Sequence, residues 1–143
     1  MTLYSIILST HIGTALLLIG LVLYADHMGF SWMRGKVSVL PLKKLLRIHH
    51  AIYAGLALMI ATGLYMFLPL RSFLIYEPAF IIKMSFIGVL IINSLYIGKL
   101  TRIASTAPFA LLSTGQKRKL LLSGGISAIC WISIIVTATQ LGV

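Results

Sequence analysis

A chain of 143 residues with a hydrophobic fraction of 59% and a mean hydropathy of +1.05 has too little polar surface for a water-soluble globule. Its formal net charge of +10 sits in two separated clusters, which excludes the extended basic stripe of a nucleic-acid-binding protein. The lone cysteine, Cys130, excludes an intramolecular disulfide.

Four apolar stretches follow one another: Leu3 to Ala25, Leu45 to Leu68, Ala79 to Gly98 and Leu120 to Leu141. Each meets the roughly 20 residues that a helix needs to cross a bilayer core. In lipid a helix satisfies its own backbone, so the predicted fold class is all-α, an antiparallel four-helix bundle in the membrane. Short connections leave nothing over for a soluble module, so residues 1 to 143 read as one transmembrane domain. No basic residue precedes the first stretch, which predicts that it is retained and not cleaved as a signal. The prolines of the Pro69 to Pro78 connection predict helix ends on either side of it.

The basic residues set an orientation. Arg34, Lys36, Lys43, Lys44 and Arg47 lie around the first connection, and Lys99, Arg102, Lys117, Arg118 and Lys119 around the third. These are ten of the twelve Lys and Arg, and short basic loops stay cytoplasmic. Both termini are therefore expected on the outer side, with localisation in the bacterial cytoplasmic (inner) membrane and the lipid bilayer as first partner. Gly13 and Gly20, the Ala54, Ala57 and Ala61 stripe, and Gly124, Gly125 and Ser127 supply small residues for close helix contact, or for contact with a second copy.

Polar groups inside the apolar stretches carry the functional signal. His11 lies eight residues into the first stretch, roughly 12 Å along the helix, where an ionisable ring usually faces the bundle interior. The structural alternative is a neutral ring bonded to a hydroxyl of a neighbouring helix. His27, His49 and His50 lie near the basic end, with Asp26 beside His27. Adjacent residues on a helix diverge by about 100°, so His49 and His50 cannot both face one ligand. His50 shares the alanine stripe and is expected to face inward, while His49 lies with Ile52, Tyr53, Leu56 and Ile60 on a face that could equally meet lipid. Imidazoles with a carboxylate suit a transition metal, and imidazoles on facing helices suit haem iron. Interfacial histidines also occur as plain helix-end residues. Lys83 lies about a turn into the third stretch, where its stem either snorkels outward or holds a charge near His11. Asn93, Ser94, Ser133, Thr137 and Gln140 read as hydrogen-bonding contacts between helices. The two acids, Asp26 and Glu77, fall on opposite sides of the membrane, which excludes paired-carboxylate hydrolysis.

Three short motifs in this layout resemble small bacterial four-helix membrane proteins of the protoporphyrinogen IX oxidase type, and the copper-resistance D-type membrane domains. They are Ser-Thr-His11-Ile-Gly, Leu58-Met-Ile-Ala-Thr-Gly-Leu64 and Phe80-Ile-Ile-Lys83-Met. The resemblance implies a haem-associated membrane oxidoreductase with His11 and Lys83 as catalytic and cofactor-binding residues, and a porphyrin substrate or redox partner. The chain departs from that pattern in its His49-His50 pair and in its ending, Thr137-Ala-Thr-Gln-Leu-Gly, which has neither charge nor proline.

The resulting expectation is a membrane protein of cytochrome b character binding haem b, with His11, His27, His50 and Lys83 as cofactor-binding residues. Two other classes stand beside it. One is a transition-metal binding or transport protein using Asp26, His27, His49 and His50. The other is a non-catalytic accessory subunit of a membrane complex.

Overall fold

The structure, a computed structural model, describes residues 2–140. Four long helices account for most of them: α1 (Leu3–Met33), α2 (Leu42–Leu74), α3 (Pro78–Ala104) and α4 (Thr114–Gln140). All four are long and apolar enough to cross a membrane, and no strand occurs among the described residues. Large apolar side chains such as Leu17, Ile92 and Ile132 point outward, as a bilayer permits and water does not. The expected C-terminal residue of the fourth span, Leu141, lies outside the described residues.

The helices outrun the apolar stretches. The Thr2 side chain caps the start of α1 by accepting from the Ser5 amide. That helix then continues through Asp26 and His27 to Met33, so His27 is an internal helical residue and not a helix end. It stops at Gly35, whose φ of +69° only glycine adopts freely. The Gly35 and Lys36 amides turn back to the Trp32 and Ser31 carbonyls, both at 3.0 Å, closing the helix end. The expectation that Pro69 ends the second helix is corrected: α2 runs through Pro69 to Leu74. A proline removes one backbone bond, and the helix resumes because nothing beyond it offers the other amides better partners. Pro78 does open α3, at a position where its missing amide hydrogen costs nothing.

Helix pairing follows from specific contacts. His11 meets Thr62, Leu18 meets Gly55 and Lys44 lies over Tyr24, so α1 and α2 run antiparallel. Phe67 stacks on Phe80 with centroids 5.2 Å apart, and the Tyr53 hydroxyl donates to the Ser94 carbonyl at 2.9 Å, which makes α2 and α3 antiparallel. The α1–α2 and α3–α4 pairs are closely packed, and the two pairs touch each other sparingly. Between α3 and α4 the lock is polar. Asn93 Nδ2 donates to the Ser123 carbonyl at 2.9 Å, and the Ser123 hydroxyl returns to Asn93 Oδ1 at 2.8 Å, both residues being buried. Satisfied reciprocal bonds of this kind hold helices together where lipid offers no alternative partner.

The alanine stripe does not form the packing face. Ala54, Ala57 and Ala61 are exposed, together with His50. The close approach instead occurs at Gly55, where a Cβ would lie 2.6 Å from Leu18 Cδ2, and Leu18 is only 1% exposed. Spacing alone cannot choose between two apolar faces of a helix, and the close approach at Gly55 decided it.

At the end carrying the α1–α2 and α3–α4 connections, a compact cluster resembles a soluble core. Trp32, Leu40, Leu45, Ala104 and Leu112 are buried together, with Phe109 of a short 3-10 turn (Phe109–Leu111) set edge-on to Trp32 at 5.2 Å. The Trp32 indole donates to the Ala107 carbonyl at 3.2 Å, and the Leu40 amide to the Ala104 carbonyl at 3.0 Å. This cluster closes one end of the bundle.

Candidate functional site

Two histidines sit in matching arrangements at opposite ends. Toward the α2–α3 turn, His11 Nδ1 lies 2.7 Å from Thr62 Oγ1. The one hydroxyl proton of Thr62 is directed at its own helix, to the Leu58 carbonyl at 2.8 Å with Met59 at 3.2 Å. Thr62 can then only accept, so the His11 Nδ1–H donates and the network assigns the tautomer. The other ring nitrogen, Nε2, is left with a lone pair. Gly63 lies beside the ring: a Cβ there would sit 3.5 Å from His11 Cε1. Lys83 follows Phe80 by three residues on α3, and Phe80 stacks on Phe67 of α2, so the lysine lies at the same end of the bundle as His11. Thr62 and Gly63 belong to the motif Leu58 to Leu64, so two of the three short motifs meet directly.

Toward the loop end, His49 Nδ1 faces Thr101 Oγ1 at 3.5 Å, a long contact. The Thr101 hydroxyl donates to the Ile97 carbonyl at 3.0 Å, so again the threonine presents a lone pair to Nδ1 and leaves Nε2 open. The His49 ring stacks loosely on Tyr53, with centroids 6.5 Å apart and planes 28° apart.

The expectation that His50 faces inward is corrected. His49 faces the bundle interior and His50 is exposed, its Nδ1 donating to the Leu46 carbonyl at 2.7 Å in its own helix. The cause is the choice of packing face: Leu45, Ile48, Ile52 and Gly55 turn inward and carry His49 with them. His27 is exposed on α1. Among the described residues no three His, Cys, Asp or Glu side chains gather into a group able to hold a metal ion, so Asp26, His27, His49 and His50 form no such set. Cys130 is buried and unpaired by disulfide.

His49 borders the main cavity, of about 480 Å³, which lies between all four helices above the Trp32 cluster. Its volume falls in the usual range of small-molecule sites. The walls are apolar and aromatic, including Tyr53, Trp131 and Trp32, and the only ionisable side chains among them besides Tyr53 are His49 and Asp26. No Lys or Arg borders it. Several hydroxyls on the wall already donate to protein: Tyr53 to Ser94, Ser94 to Ile91, Thr101 to Ile97 and Ser123 to Asn93. Sequence reasoning missed Thr62, Thr101 and Ser123, because a threonine or serine in an apolar helix gives no sign of which helix it will face.

No family model, curated protein or solved structure matches the chain.

Proposed function

We propose that this chain is a haem b-binding membrane protein of electron-transfer or oxidoreductase type, in which His11 would hold the iron. The observation that carries this reading is the His11–Thr62 pair. An imidazole whose Nδ1–H is fixed by an acceptor, with Nε2 left open, is the arrangement in which histidines bind metal. The donor set also fits the group's charge: Lys83 is the cation near His11 that can answer a propionate, in a chain with almost no acids to pair it. His49 has an equally open nitrogen, but its cavity contains the Asp26 carboxyl and no cation, a poor setting for propionates. When bound, the haem would supply one-electron chemistry, its potential set by axial ligand and burial. Thr62 would hold the ring orientation, and Lys83 would bind the acidic edge.

Orientation belongs to the same reading. The ten clustered basic residues favour the Trp32 end at the cytoplasmic face and the His11 end in the outer leaflet. A reporter fused after Val143 should be active outside; activity on the cytoplasmic side would reverse the assignment.

The test of cofactor and ligand is an absorption spectrum of the detergent-purified protein, oxidised and then dithionite-reduced. A Soret band with reduced α and β bands is expected. Lys83→Met keeps the apolar stem and removes the charge, so the protein should fold while haem affinity falls. Full retention of haem in Lys83→Met would assign the lysine to snorkelling alone, and the absence of any haem from protein made with ample haem supply would remove the reading.

A further inference from the structure

The loop-end cavity has a chemistry distinct from the His11 site, and it does not depend on haem. Its walls are apolar and aromatic, so its occupant is a flat, largely apolar ring. It includes one acid and no Lys or Arg, which disfavours an anionic ligand such as a fatty acid or a phospholipid head. Its ionisable groups His49 and Asp26 offer acceptors, and the Ser127 hydroxyl and Trp131 indole N–H stand on the same wall as donors. With Nδ1–H turned toward Thr101, His49 offers Nε2 as a lone pair, and the Asp26 carbonyl oxygen accepts in either protonation state. The wall hydroxyls of Tyr53, Ser94, Thr101 and Ser123 already donate elsewhere. A neutral ligand that brings its own hydroxyl donors therefore matches His49 and Asp26, which a ligand with only acceptors leaves unpaired.

The route in is also visible. The two helix pairs touch sparingly, and the cavity is not sealed where α1 and α4 border it. Phe30, Gly124, Gly125 and Ala128 line it there and are exposed on the side that meets lipid. A Cβ built on Gly29, Gly124 or Gly125 meets nothing within 4 Å, so these glycines leave open space at the mouth. A ligand dissolved in the bilayer can enter sideways with its tail left in lipid.

We infer that this cavity is a lateral-entry binding site for a lipid-tailed hydroquinone, its ring between the aromatic walls and its hydroxyls donating to His49 and Asp26. The statement concerns binding of the reduced ring; no electron transfer is assigned to it.

Both tryptophans of the chain, Trp32 and Trp131, line the cavity, so intrinsic emission reports its occupancy. The full chain in phosphatidylcholine nanodiscs is titrated anaerobically with decylubiquinol and, separately, with oxidised decylubiquinone, affinity being read from the midpoint and not the amplitude. Saturable binding of the reduced form is expected, with the oxidised form about tenfold weaker because it has no hydroxyl to donate. His49→Phe keeps the stack on Tyr53 and removes the acceptor, and should weaken decylubiquinol by about tenfold. His50→Phe, on the exposed face, should match the wild type. Gly125→Leu projects into open space, so it folds and should abolish saturable binding; the shift of the unfolding midpoint on adding decylubiquinol gives a second readout for each variant. Emission that changes linearly with added ligand, equal midpoints for the two redox forms, or wild-type affinity in His49→Phe or Gly125→Leu would each overturn the inference. Haem content, followed by the Soret band in the same samples, should be unaffected by His49→Phe.

Discussion

The two ends of the bundle use the same side-chain pair to different effect. At the turn end His11 is held by Thr62 at 2.7 Å on a closely packed α1–α2 seam, with a lysine nearby. At the loop end His49 meets Thr101 at 3.5 Å across the sparsely packed α2–α3 boundary, beside about 480 Å³ of space and an acid. A short bond on a tight seam fixes a ring in one orientation. A long contact beside a cavity leaves a ring available for hydrogen bonding to something that comes and goes. The electrostatic surroundings reinforce the difference, since a cation near His11 favours an anionic cofactor and Asp26 near His49 disfavours one.

The largest expected effect tests that division directly. His11→Ala should remove haem from the purified protein altogether, while His49→Ala should leave the Soret band in place. Equal loss from both changes would mean that the two rings share one cofactor, and the contrast between the ends would collapse.

The threonines sharpen the contrast by one step. Thr62→Val keeps the shape and removes the acceptor that orients His11, and loss of such a supporting partner typically costs about 10- to 100-fold in metal affinity. Thr101→Val should leave haem affinity unchanged, because its partner is not the proposed ligand. Haem titration of the apoprotein checks both.

The smallest effect concerns packing. Gly55→Ala places a methyl 2.6 Å from Leu18, which is nearly fully buried and has little room to move. Overpacking of this kind outweighs the better helix propensity of alanine, and a net loss of about 1 to 2 kcal/mol is expected. Gly29→Ala, at the cavity wall with nothing within 4 Å, should instead gain up to about 1 kcal/mol from propensity. Unfolding midpoints of the two variants in one detergent compare seam and cavity. If both changes destabilise alike, the loop end is packed as tightly as the turn end.

The four helices and their membrane-spanning length were legible in the sequence because both depend on a local property, a run of apolar residues. Asn93 was likewise legible as a contact between helices, although its partner Ser123 was not. The tertiary structure alone decided which side of each helix faces in. Periodicity marks a packing face only when the opposite face is polar, and in a bilayer both faces are apolar, so the alanine stripe of α2 was no guide and His49, not His50, turned inward with Gly55. The continuation of α2 through Pro69 was hidden for a related reason, since a proline's local penalty says nothing of what the following amides would otherwise bond. The pairing of His11 with Thr62, and of His49 with Thr101, depended on register between residues about fifty positions apart, which no local pattern encodes.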